Sequence, residues 1–155
     1  MELRIMELLP VRLACLRYTG PYGPALGEFW RDRFLPWCAH HPFDSLADCY
    51  GIGLDDPAAT APEDCRYDAG IEVPVQFQAS TPAHVRSLPG GRYAVARFCG
   101  NASQIGAAWQ AMFQQLLPQQ GLQVDARPCF ERYLAGARTD PETGLFSCDI
   151  CVAIC

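Results

Sequence analysis

The chain has 155 residues, half of them apolar and 19% charged, a balance that excludes intrinsic disorder and closes a core without disulfide or metal staples. The formal net charge is −5, and all twelve basic residues are arginines spaced singly from Arg4 to Arg138. The clustered cations that neutralise phosphates are missing, so no direct nucleic-acid contact is expected.

No apolar run reaches the ~18–20 residues of a membrane-crossing helix, and Met1 to Leu9 carries Glu2, Arg4 and Glu7 where a signal sequence would be apolar. A cytoplasmic chain without membrane contact is expected. The first strand-like block is VRLACLRYTG, residues 11 to 20. The turn GPYGP leads into a helix with Pro24 in its first turn and an apolar stripe of Leu26, Phe29, Trp30, Phe34 and Trp37. Pro36 interrupts that stripe and predicts a kink or an early end. His40, His41 and Asp44 follow, but adjacent histidines point apart, and no metal or other cofactor is expected. Strands are predicted over Leu46 to Leu54 and Tyr67 to Val75, joined by the loop around DDPAATAPED.

His84 stands alone before the strand Gly91 to Cys99, whose Tyr93, Val95, Arg97 and Cys99 share a face. Asn101 or Ser103 can cap the next helix, where Ile105, Trp109, Met112, Phe113 and Leu116 form one stripe that Pro118 and Gly121 end. Two strands, Arg127 to Leu134 and Leu145 to Ile154, flank a TDPETG turn. There is no GxSxG elbow and no phosphate-binding glycine loop.

The nine cysteines lie within apolar segments, as Cys15, Cys99 and Cys129 do, and read as core thiols. Cys148 and Cys151 make a CxxC inside the strand-like FSCDICVAI, without the helix N-terminus that a redox motif needs or a second pair to complete a zinc site.

Compared with itself, the chain shows a repeat. VRLACLRYTG aligns with GRYAVARFCG at an offset of 80, matching Arg12 to Arg92, Ala14 to Ala94, Arg17 to Arg97 and Gly20 to Gly100. Trp30 and Phe34 correspond to Trp109 and Phe113, and YDAGIEV (67 to 73) to CDICVAI (148 to 154). Three blocks in one order predict two fused halves, about 1–80 and 81–155, each βαββ. The expected architecture is α+β: an antiparallel sheet with two helices packed on it, related by a pseudo-twofold, with a cleft at the midline.

Alternation in RPCFERYL puts Cys129, Glu131 and Tyr133 on one face and Phe130, Arg132 and Leu134 on the other. A carboxylate on a half-buried strand loses hydration, which suits a counter-charge for a cationic ligand or a general acid or base. A structural ion pair with Arg97 or Arg132 is the plainer alternative. Tyr18, Tyr22, Trp30, Trp37, Tyr93, Phe98, Trp109, Phe113 and Tyr133 flank the predicted cleft, and Trp30 and Trp109 share the midline by symmetry. Such walls suit flat aromatic or cationic ligands, although core packing is the plainer role for Trp37 and Phe113.

TGPYG, PGGRYAVARFCG, AAWQAMF, RPCFERYL and CDICVAI together resemble the GyrI-like small-molecule-binding domain. This is the effector-binding module of AraC-type and MerR-type regulators, found alone as the SbmC-type DNA gyrase inhibitor. The resemblance covers essentially the whole chain as one domain, 1–155, with PCFERYL its most specific segment. It implies that Glu131 takes the position of the family's pocket glutamate and Trp109 that of the helix aromatic beside it; Tyr133, Trp30, Tyr18, Tyr22 and Phe98, from the aromatic walls of the predicted cleft, are the further ligand-lining candidates. Some stand-alone members resemble hydrolases that open the cyclopropane ring of DNA-alkylating natural products. That likeness implies Glu131 activating water, with Tyr133 as its hydrogen-bonding partner. The gyrase-inhibitor members imply a contact with DNA gyrase. With no helix-turn-helix extension in the sequence, a stand-alone module that binds a small aromatic or cationic toxin or drug is the leading expectation.

Overall fold

Two very short links, Leu9–Pro10 and Pro89–Gly90, govern the architecture. The computed structural model describes residues 1–44, 46–135 and 139–155. Strand β1 (Leu3–Leu8) is followed at once by β2 (Val11–Thr19), yet the two do not pair. Instead β1 pairs with β6 (Gly91–Gly100), and β2 pairs with β5 (His84–Leu88). With β3 (Cys49–Gly53), β4 (Arg66–Glu72), β7 (Phe130–Tyr133) and β8 (Phe146–Ala153) they form one antiparallel sheet ordered β1-β6-β8-β7-β3-β4-β2-β5. A two-residue link spans only a few ångströms, so the sheet must curl until its two ends meet. Gly90 sits at that closure: a Cβ there would stand 2.5 Å from the Leu8 carbonyl oxygen and 2.7 Å from the Pro10 nitrogen.

The strand order is unchanged when β1–β4 are exchanged for β5–β8, which is compatible with the sequence repeat. Each half is ββαββ rather than the expected βαββ. The leading strands β1 and β5 lie at the sheet's two ends, where LRIMEL and HVRSL are only partly buried and lack a clean alternation.

The first helical segment runs as α1 (Pro24–Phe29), a π turn (Trp30–Phe34) and α2 (Leu35–Ala39). The second repeats the design as α3 (Ile105–Ala111), a π turn (Met112–Leu116) and α4 (Leu117–Gln119). Leu35 N–H donates to the Trp30 carbonyl and Leu117 N–H to the Met112 carbonyl, five residues back. Each of these wide turns ends two residues before a proline, Pro36 or Pro118, that has no N–H to continue an α ladder. At Pro36, where a kink or an early end was expected, the segment widens one turn and continues to Ala39, and the second segment ends just past Pro118, closed by Gly121 at φ +63°. Asn101 and Ser103 bond each other in the turn before α3, whose N-cap is Gln104.

Both helical segments cover one face of the sheet. Phe29 and Phe34 pack on Ala14, Leu16, Tyr67, Ala69 and Ile71, and Met112 and Leu117 pack on Ala94, Ala96, Phe98, Ile150 and Val152. The other face closes on itself around Leu13, Ile52, Leu88, Tyr93, Val95 and Phe130. All nine cysteines are free. Cys148 faces the helices and Cys151 the interior of the curl, so the CxxC thiols lie on opposite sides of the sheet. Burial pushes the Cys151 thiol up to about 12.

Candidate functional site

Strands β3 and β7 meet at the middle of the sheet, with Gly51 directly opposite Glu131. Alternation sends Glu131 and Tyr133 to the helix side, where Tyr67 of β4 and the two indoles converge on them. The Glu131 side chain lies in a residue only 7% exposed. Its Oε1 accepts from the Tyr67 and Tyr133 hydroxyls, both at 2.9 Å, and its Oε2 accepts from Trp109 Nε1 at 2.9 Å. Trp30 Nε1 donates to the Tyr67 hydroxyl at 3.2 Å, and the Trp30 and Tyr133 rings lie 5.0 Å apart.

Among the described residues no ion pair includes Glu131. Burial raises its pKa above the ordinary carboxylate value, and the bonds from Trp109, Tyr67 and Tyr133 oppose that rise. Burial and the Glu131 charge together hold both phenols well above the usual tyrosine value.

Arg97 and Arg132 do not reach Glu131, as the ion-pair alternative had them do. They lie on the other face and bind Asp149, at 2.6 Å and 2.9 Å. Its counterpart in the repeat, Asp68, is held there by Arg17 at 2.9 Å and Arg86 at 3.0 Å. His84 is not alone either, since its Nε2 lies 3.0 Å from Asp68. The Cys15, Asp68 and His84 donor atoms all fall within 4.8 Å of one another. Two guanidiniums already occupy Asp68, and each opposes an added cation by about 4 kcal/mol at ~4 Å and an effective dielectric near 20. That donor set fits a metal ion poorly.

Of the residues singled out from the sequence, Glu131, Trp109, Tyr133 and Trp30 come together. Phe98 packs on Phe146, which contacts Tyr133, and Tyr22 meets the group through the Tyr67 ring. Tyr18 packs on Phe29 and donates to the Pro21 carbonyl. Tyr93 sits inside the curl on the far face, a correction to its placement beside the cleft. Phe113 stacks on Trp109, and Trp37 joins His41 and Phe43, where His41 Nδ1 lies 2.8 Å from the Trp37 carbonyl oxygen. The open midline cleft expected from the sequence is closed over Glu131 by indoles and phenols. A recess of about 110 Å³ exists elsewhere, lined by Arg97, Arg132, Ser147 and Asp149 among others.

Tyr67 and Gly51 are the two members that the sequence reading missed. Extending the repeat finds Gly51: CYG (49 to 51) aligns with CFE (129 to 131), so Gly51 stands where the other half has Glu131.

A curled antiparallel sheet with two helices packed over Glu131 defines an α+β domain. The chain belongs to the GyrI-like small-molecule-binding domain family, whose profile matches residues 1–154. It is 32% identical over 146 residues to a DNA gyrase inhibitor of Edwardsiella ictaluri, covering 92% of each chain. In structure it is similar to the C-terminal domain of EcmrR, with a TM-score of 0.76 at 11% identity over 99% of this chain and 96% of that one. It is also similar to SAV2435 bound to tetraphenylphosphonium, with a TM-score of 0.62 at 17% identity over 98% and 94%. At such identities these two likenesses are of fold. Among the described residues no helix is long and apolar enough to cross a membrane.

Proposed function

We propose that this chain binds a flat aromatic or cationic small molecule between Trp30 and Trp109, with Glu131 as the counter-charge. One observation carries the reading: a nearly sealed carboxylate that three neutral donors hold and that, among the described residues, no cation neutralises. A buried charge costs free energy unless it is paired. A lipophilic cation entering ~4 Å away would recover about 4 kcal/mol at an effective dielectric near 20, and the indole faces would add cation–π attraction. Because the midline is closed, the indoles must turn aside to admit the ligand. Tetraphenylphosphonium, to which SAV2435 is bound, is a lipophilic aromatic cation of the kind this chemistry favours.

Titration with tetraphenylphosphonium, followed by tryptophan fluorescence, tests the proposal. Glu131→Gln keeps the shape and removes the charge, and should weaken binding about tenfold or more. Equal affinities would remove the counter-ion role.

A second reading, water activation by Glu131 against a strained ring with Tyr133 bonding the carboxylate, is favoured by the upward shift of the acid. Its test is ring-opened product by mass spectrometry after incubation with a cyclopropane-bearing alkylator. No product with wild-type protein sinks it. Inhibition of DNA gyrase, the activity for which the Edwardsiella relative is named, is a third reading, decided by a supercoiling assay.

A further inference from the structure

We propose that Tyr67, admitted by Gly51, is a positioning residue through which the first half of the molecule reaches Glu131 and holds its carboxylate charged. The inference rests on the reading of Glu131 as the counter-charge and adds how that charge is maintained.

The direction of the hydrogen bonds is dictated by chemistry. An indole N–H can only donate. Trp30 therefore occupies a lone pair of the Tyr67 oxygen, and the Tyr67 proton is left to donate to Glu131 Oε1. The two halves thus deliver their equivalent tryptophans to one acid by unequal routes: Trp109 bonds Oε2 directly, while Trp30 acts through the Tyr67 hydroxyl.

Gly51 makes this route possible. A Cβ at that position would overlap the Tyr67 hydroxyl outright and stand 2.7 Å from Glu131 Oε1. A second carboxylate at Gly51, which strict symmetry of the repeat would call for, is excluded by the same crowding. The site therefore carries a single acid.

Among the described residues, the titratable groups facing Glu131 are the Tyr67 phenol from β4, the Tyr133 phenol from β7 and the Cys148 thiol from β8. The helical segments contribute the neutral indoles of Trp30 and Trp109. Each donor favours the ionised acid against burial.

The decisive measurement is the titration of the Glu131 side-chain carboxyl carbon, followed by NMR in ligand-free protein. Tyr67→Phe removes one donor and adds no atoms, so the midpoint should move to higher pH. Gly51→Ala should move it the same way by displacing Tyr67. Tyr50→Phe serves as control, because its hydroxyl bonds Glu72, on the other face, and should leave the midpoint in place. A Tyr67→Phe midpoint equal to the wild type overturns the proposal, even where tetraphenylphosphonium binds. A rise upholds it even where that cation does not bind, so the two proposals fail separately.

Discussion

Glu131, Asp68 and Asp149 are each under a tenth exposed, yet their pKa values depart in opposite directions because their partners oppose burial with unequal strength. Burial acts to raise all three. At Asp68 the bonds from Arg17 and His84, and at Asp149 those from Arg97 and Arg132, outweigh it and hold the acids below their ordinary value. At Glu131 neutral donors do not outweigh it. The linkage signs follow. Asp68 and Asp149 contribute stability that is present above the ordinary carboxylate pKa and lost as pH falls through their lowered values. Glu131 contributes in the reverse sense, its share being present below the ordinary value of 4.5 and lost as pH rises through the raised one. Urea midpoints measured from pH 4 to 8 should therefore show Glu131→Gln gaining on the wild type as pH rises. A constant difference across that range would contradict the assignment.

At the scale of elements, one side chain ties the β5–β6 link to β6 and to the end of β8. Arg127 donates to the carbonyls of Gly90, Arg92 and Ile154 at 2.9–3.0 Å, pairs with Asp125, and lies 4.9 Å over the Tyr93 ring. Arg127 directs four hydrogen bonds from its planar fork, one more than the three N–H groups of an ammonium can supply. Arg127→Lys should lower the midpoint of denaturant titrations measurably, because at least one hydrogen bond from the charged donor is lost. A loss within error would show that the charge alone suffices. The π turns before Pro36 and Pro118 belong to this scale too. A proline in an amphipathic stripe predicts a break, but apolar packing on both sides, by Phe34 before Pro36 and Leu117 beside Pro118, keeps the chain helical by widening one turn.

For the whole molecule, the exchange of β1 and β5 between the halves is the decisive feature. Each half donates its leading strand to the other's side of the sheet, so neither can complete its ladder alone. Unfolding should accordingly be one cooperative transition, with tryptophan fluorescence and far-ultraviolet circular dichroism superimposing along a urea titration. Two separated transitions would mean that the halves are independent units.

Local pattern alone determined the two amphipathic helices, the main strands, the repeat and the strand face that pairs Glu131 with Tyr133, because periodicity and alternation act over neighbouring residues. Only the tertiary structure decided that the sheet curls, that Arg97 and Arg132 serve Asp149, and that Tyr67 and Gly51 complete the surroundings of Glu131. Those outcomes depend on pairings between residues far apart in the chain, such as Gly51 with Glu131, and on which face of the sheet the helices cover. Edge strands such as LRIMEL escape a sequence reading for the same reason: their partners, not their own pattern, make them strands.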